Sequence, residues 1–407
     1  MDRTHYIADA KKSAGSRVRI AGWVHDFRDL GKLKFALVRD RTGILQVTMK
    51  KGVVKDELLA AVALNKEDVV SFGGTLKENR IAPDGVELVP DEFVLLNKVE
   101  RKLPVDPTGV VPSELDTRID FRYLDLRKKD TSAIFRIKSV AATAFREKLL
   151  ELGFIEIHPS AITGAATEGG ADVFPIQYFE NRAYLVQSPQ LYKQLAVIGG
   201  FDRVFMTVPV FRAEKHNTTT HLNEIVQMDI EMGFADHLDA MDVLEKVTLH
   251  ILRRVKEGIG PEIAALSPDF DVPEKVPRYS YTELVERLDK ETNIKMKWGE
   301  DFTKEAEKKL YELLDDELYF IYDWPTAIRA FYSMPDQKDK RICHAFDLVY
   351  RGLDPHGFEF YLNAFRMGAP PHAGWSIGLE RLTMKMCNLE NIREATLFPR
   401  DRTRLHP

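Results

Sequence analysis

Cysteine is nearly absent: Cys343 and Cys387 are the two among 407 residues. They lie far apart in sequence and neither has a CxxC partner, so neither a disulfide framework nor a zinc site is expected. A reducing, cytoplasmic setting is the expectation. No run approaches the roughly 18 consecutive apolar residues that a membrane span needs, so no membrane is expected as a partner. The opening MDRTHYIADA has no basic region followed by an apolar core, which argues against a secretory signal. No GxxxxGK[ST] occurs, which removes a common phosphate cradle. Repeats and low-complexity tracts are missing too. What is present, 44% hydrophobic and 30% charged residues, suits a globular chain with apolar material for two or three domains.

The net charge of -5 is unevenly spread. Residues 1–102 hold 19 Lys/Arg against 15 Asp/Glu, so the excess of acid lies in the remainder. A polyanion-binding module joined to a larger acidic body would give that split, though charge alone decides nothing.

The first hundred residues read as short strands punctuated by turns. Arg17–His25, Lys34–Asp40, Ile44–Met49, Asp68–Leu76 and Val86–Leu96 mix β-branched, aromatic and polar residues at about period two. Five strands in this length suit a small closed barrel such as an OB-fold, with SH3-like barrels counting similarly. From Lys102 to Asp130 the pattern breaks at Pro104, Pro107, Gly109 and Pro112 and continues as a charged run, which predicts a hinge. Beyond it, Ser132–Leu152 is an amphipathic helix with Gly153 as its stop, Phe154–His158 a strand, Arg203–Val210 another, and Leu238–Lys256 a helix. The expected division is therefore 1–102 barrel, 103–130 hinge and 131–407 a mixed α/β domain.

Four segments carry chemistry. In Gln187-Ser188-Pro189-Gln190-Leu191-Tyr192-Lys193-Gln194, Ser188 and Pro189 predict a capped helix start, and Gln190 and Lys193 share one face of the first turn. A cation and an amide there can hold a small anion. The second, Phe211-Arg212-Ala213-Glu214 through Met228-Asp229-Ile230-Glu231-Met232, reads as two strands joined by a long polar loop aiming Arg212, Lys215, His216 and His221 at one place, as a triphosphate requires. In the third, Pro370 through Leu382, glycines followed by Leu379-Glu380-Arg381-Leu382 predict a strand turning tightly into a helix, with Arg381 placed for a phosphate or a base. The fourth, Ala166-Thr167-Glu168-Gly169-Gly170, is a turn carrying a carboxylate able to close over an ammonium group. Each alone also suits an ordinary helix or turn.

In this order and spacing the four segments resemble the class II aminoacyl-tRNA synthetases, over essentially the whole chain. GFIEIHPSAI resembles motif 1, FRAE…MDIEM motif 2 and GLERL motif 3. ATEGG, QSPQLYKQ and AGWVHDFRDLGKLKF narrow the likeness to the aspartyl/asparaginyl branch of archaeal type. Relatives that activate asparagine usually lack the lysine of QSPQLYKQ. The resemblance implies an N-terminal OB-fold that reads the anticodon and a catalytic domain built on an antiparallel sheet flanked by helices. It implies an enzyme that activates L-aspartate with ATP and Mg²⁺ and passes it to the 3′ end of tRNA(Asp), working as a homodimer through motif 1.

The same resemblance assigns roles. Arg212 should bind the ATP α-phosphate, His221 and Arg381 the β/γ-phosphates, and Glu214 should lie near the adenine. Ser188, Gln190, Lys193 and Asp229 should surround the aspartate, with Glu168 closing over its ammonium and Asp347 binding Mg²⁺. In the barrel, Arg28, Phe35, Gln46 and Glu87 match anticodon-reading positions; from its mid-strand place alone, Phe35 would be core. His25 and Pro83 resemble the pair of relaxed enzymes that also charge tRNA(Asn), where stricter relatives carry tryptophan and lysine.

The sequence departs from the family at four places. Relatives follow Tyr-Arg-Gly with a glutamate and a Ser/Gly-rich stretch, about two dozen residues in all, supplying a second metal-binding carboxylate and the arginine that grips the aspartate side chain. Here Tyr350-Arg351-Gly352 runs into Leu353-Asp354-Pro355. Because both flanks match, a flexible loop is the expectation there; a true deletion puts aspartate specificity in question. Pro159-Ser160 stands where relatives read Thr-Pro, Thr220 precedes His221 where many have arginine, and Ile225 fills a position that is often aromatic.

Overall fold

A computed structural model of the chain describes residues 3–164, 173–213, 218–329, 333–350 and 370–405. It forms two compact units, Met1–Thr117 with Tyr123–Arg127, and Arg118–Arg122 with Lys128–Pro407. The segment expected as a hinge thus divides between them, and it carries short helices at Leu115–Asp120 and Arg122–Asp125.

The first unit is a closed five-stranded barrel. Its strands are β1 (Arg17–Asp29), β2 (Leu33–Asp40), β3 (Gly43–Lys50), β4 (Val69–Glu78) and β5 (Val86–Asn97), in the order β1-β2-β3-β5-β4. Alternation sorts the faces. Val24, Ala36, Val38, Leu45, Val47, Met49, Phe72 and Leu88 fill the interior, each essentially sealed from water. Phe35, Leu37 and Arg39 therefore point outward on β2. Phe35 is half-buried on that outer face, opposite Arg28 on one side and Thr48 on the other, so it is not core. A mid-strand position fixes which neighbours a residue has, but only the parity of the strand against the barrel decides which way it points.

The second unit is built on a four-stranded sheet. Helix α1 (Lys129–Glu151) precedes β6 (Ile155–Glu156); α2 (Gln190–Ile198) precedes β7 (Arg203–Phe211) and β8 (Glu224–Gly233); then comes α3 (His237–Leu266). A three-stranded sheet of β9 (Arg278–Ser280), β10 (Leu318–Pro325) and β11 (Ile342–Tyr350) follows, and then β12 (His372–Gly378) and α4 (Leu379–Met386). The four-stranded sheet has the order β12-β8-β7-β6, antiparallel except for the short β6–β7 pairing. Helices α1 and α3 cover one face. Ile134, Ile137, Ala141 and Phe145 at helical spacing meet Phe205, Met228, Ile230 and Trp375, with Phe145 edge-on to Phe205 and Trp375. Full burial of the Ile, Phe and Met side chains among them contributes about 1.5–3 kcal/mol each. Asp236 closes the start of α3 with a capping box to Asp239, and Ile259 with Pro261 kinks its far end. No helix among the described residues is long and apolar enough to cross a membrane.

Two expectations need correcting here. The helix of the QSPQLYKQ segment begins one residue later than Ser188 and Pro189 suggest: Gln190 is its first residue, and the Ser188 hydroxyl accepts from the Gln190 N–H at 3.2 Å. Pro189 sits at the cap with φ -81° and ψ 7°, so the first turn is tightened ahead of the helix proper. The strand expected over Phe154–His158 pairs only at Ile155–Glu156, because β6 meets β7 for two residues.

Candidate active site

The free face of the four-stranded sheet is built by alternation. On β8, Met228, Ile230 and Met232 point into the core, so Gln227, Asp229 and Glu231 point to the other side. The register sets Gly378, Ser376 and Gly374 of β12 opposite them. Small residues on the neighbouring strand leave this floor open. Gly374 is needed for a harder reason: a Cβ there would fall 2.2 Å from Glu231 Oε2 and 2.3 Å from the Ile230 carbonyl oxygen. Gly374→Ala is expected to destabilise the second unit by about 2–3 kcal/mol through that clash, read as a fall in the midpoint of urea unfolding. An unchanged midpoint would mean that the strands separate at little cost.

Lys193 drops from α2 onto this floor. It is 1% exposed, its Nζ 2.8 Å from Asp229 Oδ1 and 3.5 Å from Glu231 Oε2. Asp229 also accepts from the Ser376 hydroxyl at 2.9 Å. Burial works against the charge on Lys193, but the two carboxylates outweigh it and hold the pKa above the ordinary lysine value. Burial likewise pushes the Glu231 pKa up, more than Lys193 and His372 pull it down. His372 donates from one ring nitrogen to the Pro370 carbonyl if that nitrogen bears the proton, and its other nitrogen lies 3.3 Å from the Gln194 amide and 3.9 Å from Glu231. The Gln227 side-chain oxygen is buried with no hydrogen-bond partner. A buried ammonium between carboxylates, with amides and a hydroxyl around it, adds little net stability to a fold, and its perturbed titration marks a candidate binding group.

Other expected residues lie in the same unit. Ser188 is buried and Gln190 half-buried at the start of α2. Arg212 follows β7, with its backbone N–H donating to the Asn223 carbonyl and its carbonyl accepting from the Asn223 amide at 2.7 Å. That pairing closes the two ends of the polar loop against each other. His221 lies in the loop with Nδ1 2.7 Å from the Thr218 hydroxyl and 3.1 Å from that of Thr220. Arg381 is half-buried on the first turn of α4, which begins directly after Gly378. Its neighbour Glu380 serves the fold instead. Buried, it accepts from Lys138 of α1 at 2.7 Å and from the Val226 N–H of β8 at 2.9 Å, locking α4 to the sheet. Asp347 is on β11 and is ion-paired with Arg329, which stacks over Trp324. Ile225, on β8, packs against Leu222, Met384 and Ile392. Glu168, Glu214, Lys215, His216 and the Gly352–Leu353 junction lie outside the described residues.

Gln227, Glu231, Ser376 and His372 belong to the same floor, although motif reading gives them no role. The signal that finds them is polar residues at i, i+2 and i+4 of a strand whose alternate positions are all buried apolar.

On the barrel, Arg28, Phe35, Gln46 and Glu87 share one outer face. Phe35 pairs with Arg28 and Thr48 across the ladder; the Gln46 amide and the Thr48 hydroxyl donate to Glu87 at 3.2 and 2.5 Å. His25 is half-buried on β1, and Pro83 is exposed in the turn between β4 and β5.

Comparison with known proteins bears on both units. The family described as tRNA synthetases class II (D, K and N) matches residues 114–357 and 353–402, and an OB-fold nucleic acid binding domain matches 18–96. The aspartate–tRNA(Asp/Asn) ligase of Methanocaldococcus jannaschii is 46% identical over 432 aligned positions, covering 100% of this chain and 98% of the relative. That of Methanocorpusculum labreanum is 47% identical over 428, covering 98% and 99%. Among solved structures, Pyrococcus horikoshii asparaginyl-tRNA synthetase with asparaginyl-adenylate superposes with TM-score 0.91 at 32% identity, covering 100% of both chains. The aspartyl-tRNA synthetase of Entamoeba histolytica does so with 0.85 at 30%, covering 99% of this chain and 92% of that one.

These alignments also correct the expectation of a loop after Gly352. The sequence is continuous from Gly352 to Leu353, the 432 aligned positions exceed the chain's 407 residues, and the two family matches meet at 353–357. The stretch is missing from this chain. With barrel, sheet and both matches accounted for, the chain belongs to the class II tRNA synthetases of the D, K and N group.

Proposed function

We propose that this protein is an aspartate–tRNA ligase that forms aspartyl-adenylate from L-aspartate and ATP and transfers the aspartyl group to the 3′ end of tRNA(Asp), and also of tRNA(Asn). The observation that carries this reading is Lys193, a buried ammonium on the free face of the sheet, oriented by Asp229. A side-chain carboxylate is matched by that cation, whereas an asparagine amide would leave it without a gain in charge pairing. The relatives named aspartate–tRNA(Asp/Asn) ligase support the same choice.

In this reading Ser188 and Gln190 line the aspartate alongside Lys193, and Glu168 closes over its ammonium. Arg212 meets the α-phosphate and stabilises the charge that builds as the substrate carboxylate attacks phosphorus in line, while Arg381 and His221 hold the departing phosphates. Glu214 contacts the adenine. Asp347 offers the hard oxygen donor that Mg²⁺ favours, in competition with its partner Arg329. When bound, the ion neutralises the pyrophosphate. The second carboxylate and the gripping arginine of the family are gone with the stretch after Gly352, so Lys193 bears more of the aspartate recognition here. On the barrel, Phe35 stacks an anticodon base between Arg28 and the Gln46–Glu87 pair, which read its edges. His25 and Pro83 go with relaxed tRNA choice. Motif 1 is assigned to a homodimer interface, and the cytoplasm to the working compartment.

The missing stretch favours one rival, an RNA-binding relative that no longer activates an amino acid. ATP–pyrophosphate exchange with aspartate and asparagine side by side separates the two. Exchange with aspartate alone is expected. Exchange with neither, from folded protein that still binds tRNA, would establish the rival.

A further inference from the structure

His25 occupies an unusual place on β1. The β1–β2 register runs Trp23↔Arg39 and Val24↔Val38, then resumes at Asp26↔Leu37, so His25 is the inserted residue of a β-bulge. Bulges re-aim side chains, and this one sets Trp23, His25 and Asp26 together on the outer face. Arg39, on the same face, brings Nη1 to 2.9 Å from His25 Nδ1, while its Nη2 donates to both oxygens of Glu67 at 2.7 and 2.9 Å. Glu67 is buried and accepts from Arg127 as well, at 2.9 Å, and the Arg127 guanidinium lies over the Trp23 ring. The corner is clamped by the backbone: Glu67, in the left-handed region at φ 68°, donates its N–H to the Val24 carbonyl, and the Val24 N–H donates in turn to the Asp68 carbonyl.

A guanidinium has donors and no acceptor. Bonded to it, His25 Nδ1 must offer a lone pair, so the neutral ring carries its proton on Nε2. We propose that Arg39, held by Glu67 and Arg127, is a positioning residue that keeps His25 a neutral Nε2–H donor on the anticodon-reading face, and that this donor meets the O2 oxygen shared by cytosine and uracil. The charges facing the ring agree. Burial lowers the His25 pKa first, then Arg39; Glu67, Lys66 and Asp26 add smaller effects of both signs, and the result lies below the ordinary histidine value. Aspartate and asparagine anticodons differ only in C against U at the third position. Those bases carry opposite groups at N3 and position 4 but the same acceptor at O2. At O2 a lone N–H donor therefore suits both, whereas the other tautomer would set a lone pair against O2 and could bond only by turning to the N3 and position-4 edge, where the bases differ. The base contact rests on the anticodon reading proposed above; the tautomer does not.

The test uses the full chain labelled with ¹⁵N-histidine, with the His25 signals assigned by their loss in His25→Gln. The wild type should show a non-protonated Nδ1 and a protonated Nε2 near neutral pH. Arg39→Met should mix the tautomers and raise the His25 pKa. Aspartylation of tRNA transcripts with C or U at the third anticodon position should proceed within about tenfold of each other in the wild type, and Arg39→Met should shift that ratio about tenfold, with aspartate-dependent exchange unchanged as evidence of a folded chain. Should Arg39→Met fail to fold, Glu67→Gln takes its place. A wild-type ring protonated at Nδ1, or a folded Arg39 variant with tautomer and ratio unaltered, would overturn the proposal. Charging indifferent to purines at that position would instead remove the anticodon reading and the base contact with it, leaving the NMR result to decide the tautomer.

Discussion

Lys193→Met is expected to lower the kcat/KM of aspartate-dependent exchange by at least about a thousandfold, since a site built around a charged partner discriminates steeply when that partner is lost. The side chain is sealed from water and its ammonium lies 2.8 Å from Asp229, so nothing else in the described floor presents a cation to a substrate carboxylate at that point. Removal has a second effect. Asp229 and Glu231 would be left as neighbouring buried carboxylates, and breaking a buried pair this way costs about 3–5 kcal/mol. Loss of activity through unfolding must therefore be separated from loss of recognition. Combining Lys193→Met with Glu231→Gln removes one of the orphaned acids and should recover part of the urea midpoint without recovering exchange. A folded Lys193→Met protein that still activates aspartate within tenfold of wild type would refute the assignment of this lysine.

An effect on stability of the same size is expected at Arg122, in the second unit. Arg122 is fully buried and its guanidinium donates to the carbonyl oxygens of Arg393, Glu394, Thr396 and Leu397, at 2.6 to 3.1 Å. Those carbonyls belong to the short 3₁₀ turn Ile392–Ala395 and the residues just after it, where no strand ladder supplies partners. One side chain thus satisfies a whole segment of backbone. Arg122→Ala would strand several buried acceptors at about 1–3 kcal/mol each, partly relieved by water, so a loss of about 3–5 kcal/mol is expected in denaturant unfolding of the second unit. Arg122→Lys should recover little, because a single ammonium cannot span the fork. Near-wild-type stability of the alanine variant would show that water replaces the guanidinium freely.

Much of the candidate floor is legible in the chain without its fold. The alternation in Gln227-Met228-Asp229-Ile230-Glu231-Met232 already separates a polar face from a core face, and the glycines before Leu379 already mark a strand entering a helix. Phe35 shows where such reasoning stops. Its strand is evident, but an aromatic at mid-strand suits either face, and only closure of the barrel turns it outward. Glu380 shows a different limit. Next to Arg381 in sequence, its role cannot be read from the motif, and only the fold shows its carboxylate taken up by Lys138 and the Val226 N–H.

By itself the sequence determined the N-terminal barrel, the class II family and the residue types proposed to meet an anionic amino acid and a triphosphate, because periodicity and motif spacing are local properties of the chain. The tertiary structure alone decided which groups share a proton or a charge. Lys193 and Asp229 lie 36 residues apart, and the register of β8 against β12 brings Ser376 to the same carboxylate. His25, Arg39, Glu67 and Arg127 come from four separate segments, joined by one inserted residue in a β-ladder. Charge pairing depends on distances of a few ångströms, and those distances exist only once the strands have chosen their neighbours.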